Sequence, residues 1–334
     1  MKNIVVGIIG LGRIGKIHIK NIKRFIPQMV VKIVVDPYID ESWTKIQDIP
    51  VTKEYKTVLA DPEIEAVLIC TPSYLHVPII IEAAKAGKHI FCEKPLSLDV
   101  HLIKQAIAVV ETSGVKLQVG FNRRFDPSFV KVRDTIQHKQ IGEAYLLRIT
   151  SRDPVPPSEE YIKHSGGLFL DMTIHDFDMA RFLIGSEIVE VCAMGVVRIS
   201  PIFTKLEDID TAVVQLKFAD GTLGIIDNSR QAVYGYDQRV EVFGSRGSIA
   251  AENSTPTRTI LSTESGILSE KPYYFFLERY ERSFIEEMKT FCDCVLENRA
   301  SPVTGYDGLV SVVVGLAAMQ SIKEKRVVLI DLNK

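Results

Sequence analysis

The stretch GIIGLGRIGKIH, Gly7–His18, places three glycines, Gly10, Gly12 and Gly15, at G-x-G-x-x-G spacing directly behind the apolar run IVVGII. An ordinary helix loses about 1 kcal/mol at each internal glycine, so these positions must serve something that a side chain would prevent. A β-branched run precedes the glycines and an amphipathic pattern, GKIHIKNIKRF, follows them. In a strand–turn–helix unit of that kind, Gly10 permits the tight turn and Gly12 lets the backbone approach a pyrophosphate. Gly15 lets helix and strand pack closely. Leu11, Arg13 and Ile14 lie between them, where the free N–H groups and positive end of the helix suit phosphate. The second strand ends at Asp36, 21 residues past Gly15. A carboxylate there accepts hydrogen bonds from both ribose hydroxyls of an adenosine and repels a 2′-phosphate, so the expected cofactor is NAD rather than NADP.

Working outward, the first third of the chain alternates short β-branched runs (IVVGII, VVKIVVD, AVLICTP, HIFCEKP, KLQVGF) with helical patterns, two of which close on Gly87 and Gly114. That alternation predicts a doubly wound parallel α/β sheet, a Rossmann domain over residues 1–122. From residue 123 to 334 the pattern changes to period-2 runs, with ADGT as a hairpin turn between two of them. The expectation is an α+β domain with a large, mainly antiparallel sheet and one wet face.

The chain has 334 residues, 46% hydrophobic and 25% charged, with a formal net charge of −2. Two domains suit that length. The balance carries no basic footprint for nucleic acid and no membrane patch, and the N-terminal apolar run is broken by glycines well short of a spanning length. The expected location is cytoplasmic. The five cysteines form no C-x-x-C pair and no His/Cys ligand spacing, so reduced, mostly buried thiols and no metal site are expected.

Three further constellations carry chemistry. In CTPSYLH, the fourth strand runs into Thr71, Pro72 and Ser73 at the carboxyl edge of the sheet, where ligands sit in open α/β folds. Thr71, Ser73 and His76 are placed to bond a ribose or position a nicotinamide; the alternative for His76 is a helix-start residue facing solvent. In FCEKPLSLD, Glu93 and Lys94 end a buried strand at the same edge, and a lysine there favours an oxygen gaining negative charge. In GGLFLDMTIHDFDMARFLIG, Gly166–Gly185, a single helix is expected. On it Asp171, His175 and Asp178 fall within about 60° of one another at 100° per residue. A polar stripe on an apolar helix is costly unless it lines a cavity. Asp171 is placed to bond His175 or to share a substrate hydroxyl with it, and histidine suits removal of an alcohol proton.

Together, GLGRIGKIH, CTPSYLH, FCEKPL, VGFNRRFDP and GGLFLDMTIHDFDMARFL resemble the Gfo/Idh/MocA oxidoreductase family, and its inositol 2-dehydrogenase branch in particular. The resemblance spans nearly the whole chain. It implies catalytic roles for Lys94, Asp171 and His175, and a place for Asn122 near the cofactor. Substrate contacts are implied from Arg123 or Arg124, Asp153, Tyr234 and Tyr236. It also implies an open-faced C-terminal sheet used for subunit contact, commonly in tetramers, a dimer being the smaller option. The reaction implied is NAD-dependent oxidation of a secondary alcohol on a cyclic polyol, with myo-inositol becoming its 2-keto product, in inositol catabolism. Two alternatives stay open: a dehydrogenase for scyllo-inositol, glucose or a related pyranose, and a non-catalytic NAD-sensing regulator.

Overall fold

The structure is a computed structural model that describes residues 2–38 and 41–332. Its chain divides into two compact units, and the division is not sequential. One contains Met1–Phe125 and Arg282–Val312, the other Asp126–Glu281 and Val313–Lys334. The sequence pattern places residues 123–334 together in the second domain, and the return of Arg282–Val312 to the first unit departs from it. The return has a packing cause: Met288, Phe291 and Cys292 are buried in the same apolar cluster as Ile8, Ile19, Ile22 and Phe91.

The first unit holds a six-stranded parallel sheet of β1 (Ile4–Ile9), β2 (Met29–Val35), β3 (Val51–Thr52), β4 (Ala66–Ile69), β5 (His89–Cys92) and β6 (Leu117–Val119), in the order β3-β2-β1-β4-β5-β6. All four residues of β4 are buried, and all of β1 except Val5, as strands covered on both faces require. The order reverses between β1 and β4, which opens a crevice at their carboxyl ends. Helix Val100–Ser113 starts on the Asp99 carboxylate, which accepts from His101 N and Leu102 N, and stops at Gly114 with φ 69°. Both ends follow the expected capping chemistry.

The second unit is built on a seven-stranded sheet. It contains β7 (Ala144–Arg152), β8 (Ile188–Val196), β9 (Thr211–Phe218), β10 (Leu223–Ser229), β11 (Asp237–Gly244) and β12 (Gly247–Ala251), completed by an edge strand Val328–Leu329. All neighbours are antiparallel except β7 and β10, which run parallel with Ser229 opposite Arg152. ADGT does join β9 to β10, with Phe218 N bonded to Thr222 O at 2.9 Å. Leu147, Ile149, Val214, Leu216 and Ile226 are buried on one face, while Met194, Val213, Leu223, Ile225 and Phe243 are exposed on the other. The late helix Gly305–Glu324 is long and apolar enough to cross a membrane, but 61% of that apolar window is buried inside the protein. It is a core helix.

Candidate functional site

Within the first unit, each glycine of the fingerprint is held by a different constraint. Gly10 has φ +104°, and a Cβ there would lie 2.6 Å from the Cys70 carbonyl. A Cβ on Gly15 would lie 2.1 Å from Gly10 O. Gly12, in contrast, has nothing within 4 Å of a built Cβ. Its backbone faces open space at the start of helix Arg13–Phe25, which has no side-chain cap and no acidic residue in its first turn. Open backbone, uncapped N–H groups and no local anion form a cradle that fits a pyrophosphate. Asp36 follows β2, and its Oδ2 accepts from Leu11 N at 2.7 Å while Oδ1 accepts from Tyr38 N at 2.8 Å. The acid meant for a ribose therefore also fixes the glycine turn. Each carboxylate oxygen keeps lone-pair capacity for a further donor.

Two other residues expected near a cofactor have buried polar atoms without a hydrogen-bond partner: Thr71 Oγ1 and Asn122 Nδ2. Such atoms are costly unless a ligand or water meets them, so both fit a nucleotide. Pro72 and Ser73 lead into a short 3-10 turn, Ser73–Leu75. His76 differs from the expectation: it is buried, with Nδ1 2.8 Å from Pro95 O and Nε2 2.8 Å from Thr71 O. Both ring nitrogens lie on main-chain carbonyls, so the imidazole ties the Thr71 turn to the Lys94–Pro95 turn and has no nitrogen left for a ribose. Burial holds its pKa below the ordinary histidine value, although both carbonyls act in the opposite sense.

Glu93 and Lys94 are half-buried directly after β5, and the Lys94–Pro95 bond is cis. Glu93 Oε1 pairs with the fully buried His18 Nε2 at 2.8 Å, and Glu93 Oε2 would be 2.9 Å from a Cβ on Gly120. Glu93 is thus packed into the unit, leaving Lys94 as the group of this motif suited to a ligand. Nearby, Glu287 is fully buried with neither carboxylate oxygen bonded. Burial, reinforced by the Glu93 charge, pushes its pKa well above the ordinary glutamate value. Arg123 is buried. Arg124 bonds Asp307 at 2.8 Å and Pro302 O at 3.2 Å, both from the returning segment. That placement makes Arg124 a tie to the return.

In the second unit the expected single helix is two. Asp171 ends helix Gly167–Asp171, and His175 lies in the first turn of helix Ile174–Ile184. Between them Met172 N and Thr173 N both bond Leu168 O at 3.0 Å. Thr173 Oγ1 donates to Asn228 Oδ1 at 2.7 Å, and Asn228 Nδ2 donates to Asp176 Oδ2 at 2.8 Å. A side-chain network from a distant strand thus pins the break, overriding local helical preference. Asp178 is buried at 1% exposure while His175 is partly open, so the three-residue stripe does not persist as one face.

Asp171 is held by two residues that sequence reasoning did not identify. Tyr161 donates its hydroxyl to Oδ1 at 2.7 Å, and Arg230 Nη1 lies 2.9 Å from Oδ2. Burial and the Asp171 charge push the Tyr161 phenol far above its ordinary pKa. Arg230 is 3% exposed; burial disfavours its charge, but Asp171 and Asp153 outweigh that and hold it above the usual arginine value. Asp153 itself lies 3.4 Å from Arg230 Nη1. Tyr234 donates to Asp237 at 2.5 Å and accepts from Arg152 at 3.1 Å. Tyr236 is buried edge-on against Tyr280. Among the described residues no cluster of three His, Cys, Asp or Glu side chains could hold a metal ion.

A glycine cradle shaped for a pyrophosphate, with an acid–histidine pair elsewhere in the same chain, defines a dinucleotide-dependent oxidoreductase. Residues 4–121 match the model of the oxidoreductase family with an NAD-binding Rossmann fold, and residues 129–250 match the Gfo/Idh/MocA C-terminal domain. The chain belongs to the Gfo/Idh/MocA oxidoreductase family. It is 51% identical to the uncharacterized oxidoreductase YrbE of Bacillus subtilis, covering 96% of this chain and 95% of that one. It is 46% identical to the myo-inositol 2-dehydrogenase of Thermotoga maritima, covering 98% of each. Among solved structures it superimposes on the scyllo-inositol dehydrogenase of Lactobacillus casei with bound NAD(H) and scyllo-inositol. There the TM-score is 0.92 and the identity 32%, over 98% of this chain and 99% of the other.

Proposed function

We propose that the protein is an NAD-dependent inositol dehydrogenase that converts myo-inositol to its 2-keto product. The observation that supports this reading is the setting of Asp171, four residues before His175 in sequence, with a phenol on one carboxylate oxygen and a guanidinium on the other. Bound NAD supplies the hydride acceptor. The Gly10–Gly15 turn, Asp36, Thr71 and Asn122 would hold it. His175 removes the hydroxyl proton, and Asp171 supports the resulting imidazolium. The Lys94 ammonium suits an oxygen that gains negative charge. Asp153, Tyr234 and Tyr236 in the second unit, and Arg123 or Arg124 in the first, are the candidates for reading neighbouring hydroxyls.

The same reading places the protein in the cytoplasm, in inositol catabolism, as a homotetramer. The exposed apolar side chains Met194, Val213, Leu223, Ile225 and Phe243 on one face of the second unit's sheet, set among the ion pairs Arg148–Glu241 and Lys217–Glu190, support self-association through that face. The test is NADH formation with myo-inositol, scyllo-inositol and glucose, each with NAD and with NADP. Turnover of myo-inositol with NAD is expected. NAD binding without turnover of any polyol or sugar would overturn the enzyme reading in favour of a sensor.

A further inference from the structure

We propose that Arg230 and Tyr161 are positioning residues that clamp Asp171 as a fixed anion for His175, so that the proton moves through His175 alone. The inference rests on the dehydrogenase reading above and assigns how its acid–histidine pair divides the work.

β7 and β10 are the one parallel pair in their sheet, and Ser229 stands opposite Arg152. The next residue on each strand, Arg230 and Asp153, therefore leaves the sheet at the same edge, and Asp153 N bonds Ser229 O at 2.9 Å across the pair. Arg230 N is fixed in turn on Asp210 O at 2.8 Å. A guanidinium so anchored presents Nη1 to Asp171 Oδ2, while Tyr161 reaches Oδ1 from helix Glu159–Ser165. That helix starts where Ser158 accepts from Tyr161 N.

Each oxygen of Asp171 thus has a strong donor, one of them permanently charged. A carboxylate bonded in this way is held ionised and in one orientation. It is poorly suited to take up an alcohol proton and well suited to be a stationary negative charge. Arg230 also leaves Nε and Nη2 buried without hydrogen-bond partners. An arginine present only for stability would not carry two unmet buried donors. Asp208 Oδ2, also buried and unbonded, contributes a further negative charge near Arg230. The guanidinium therefore serves Asp153, Asp208 and Asp171 together.

The experiment is a double-mutant cycle on the full-length protein with NAD and myo-inositol. Arg230→Gln should lower kcat by about 10–100-fold through misplacement of Asp171 while NAD affinity stays within about twofold. Arg230→Lys, which keeps the charge, should recover part of the loss, and Tyr161→Phe should cost about tenfold. In an Asp171→Ala background, Arg230→Gln should cost almost nothing more, because its effect passes through a carboxylate already removed. An undiminished loss in that background would overturn the proposal. So would a wild-type kcat in Arg230→Gln. A crystal structure of Arg230→Gln reads the claim without turnover, and so separates it from failure of the dehydrogenase reading. The Asp171 carboxylate should turn from its wild-type position; a carboxylate left in place would refute the clamp.

Discussion

The two sheets of this protein present chemistry by different routes. In the parallel sheet each candidate group directly follows a strand end, where its motif can be read locally: Gly10 to Gly15 after β1, Asp36 after β2, Lys94 after β5. In the second unit the candidate carboxylate Asp171 sits at a helix junction, and its geometry is imposed from Tyr161 and from Arg230, just past the end of β10. A locally built site survives or fails with one motif. A site built from distant strands depends on the register of the whole sheet.

The largest effect that sharpens this comparison is expected at His175. His175→Ala should lower kcat by about 10²–10⁴-fold with NAD affinity nearly intact, as steady-state kinetics and NAD titration would show. Next is Asp36→Ala, which removes an acceptor from both the turn and the ribose. NAD affinity should fall by about 10–100-fold, the worth of a charged hydrogen bond, and the preference for NAD over NADP should shrink. An unchanged NAD/NADP ratio would break the local reading of β2.

The glycines then separate fold from function inside a single motif. Gly10→Ala forces a side chain to φ +104° and onto the Cys70 carbonyl, and should cost about 2–3 kcal/mol of stability in denaturant melts. Gly12→Ala meets nothing within 4 Å and should change stability by less than about 0.5 kcal/mol, yet still weaken NAD binding. Equal destabilisation by the two would refute the cradle.

The smallest effect concerns Glu287, whose folded pKa is raised by burial. Above the unfolded glutamate pKa the unfolded chain releases this proton while the folded protein retains it, so stability is lost as pH rises through that window. Glu287→Gln should therefore melt higher than wild type at neutral pH, with the gain fading toward acidic pH. The same gain at every pH would show that ionisation is not the cause.

What was legible in the sequence follows the same division. The fingerprint, Asp36 and the Glu93–Lys94 strand end could be read because spacing and strand ends are local facts. The helix break after Asp171 could not, since it is fixed by Asn228, and no window around Thr173 contains that partner. Arg230 carried no mark that set it apart from a surface arginine until the parallel pairing of β7 and β10 was known. Tyr161 was within reach, ten residues before Asp171, but it followed a proline-rich segment that reads as a loop. The Arg124–Asp307 pair is equally hidden, because Asp307 lies in a segment whose return to the first unit has no local signature.

That return has a consequence for how the chain is made. Met288, Phe291 and Cys292 complete the core beneath β1 and helix Arg13–Phe25, yet they are synthesised after every strand of the second sheet except its edge strand Val328–Leu329. The nucleotide-binding half must wait on the ribosome with an unfinished interior, and any message cut short before Arg282 would yield a half-built fold with its apolar floor uncovered.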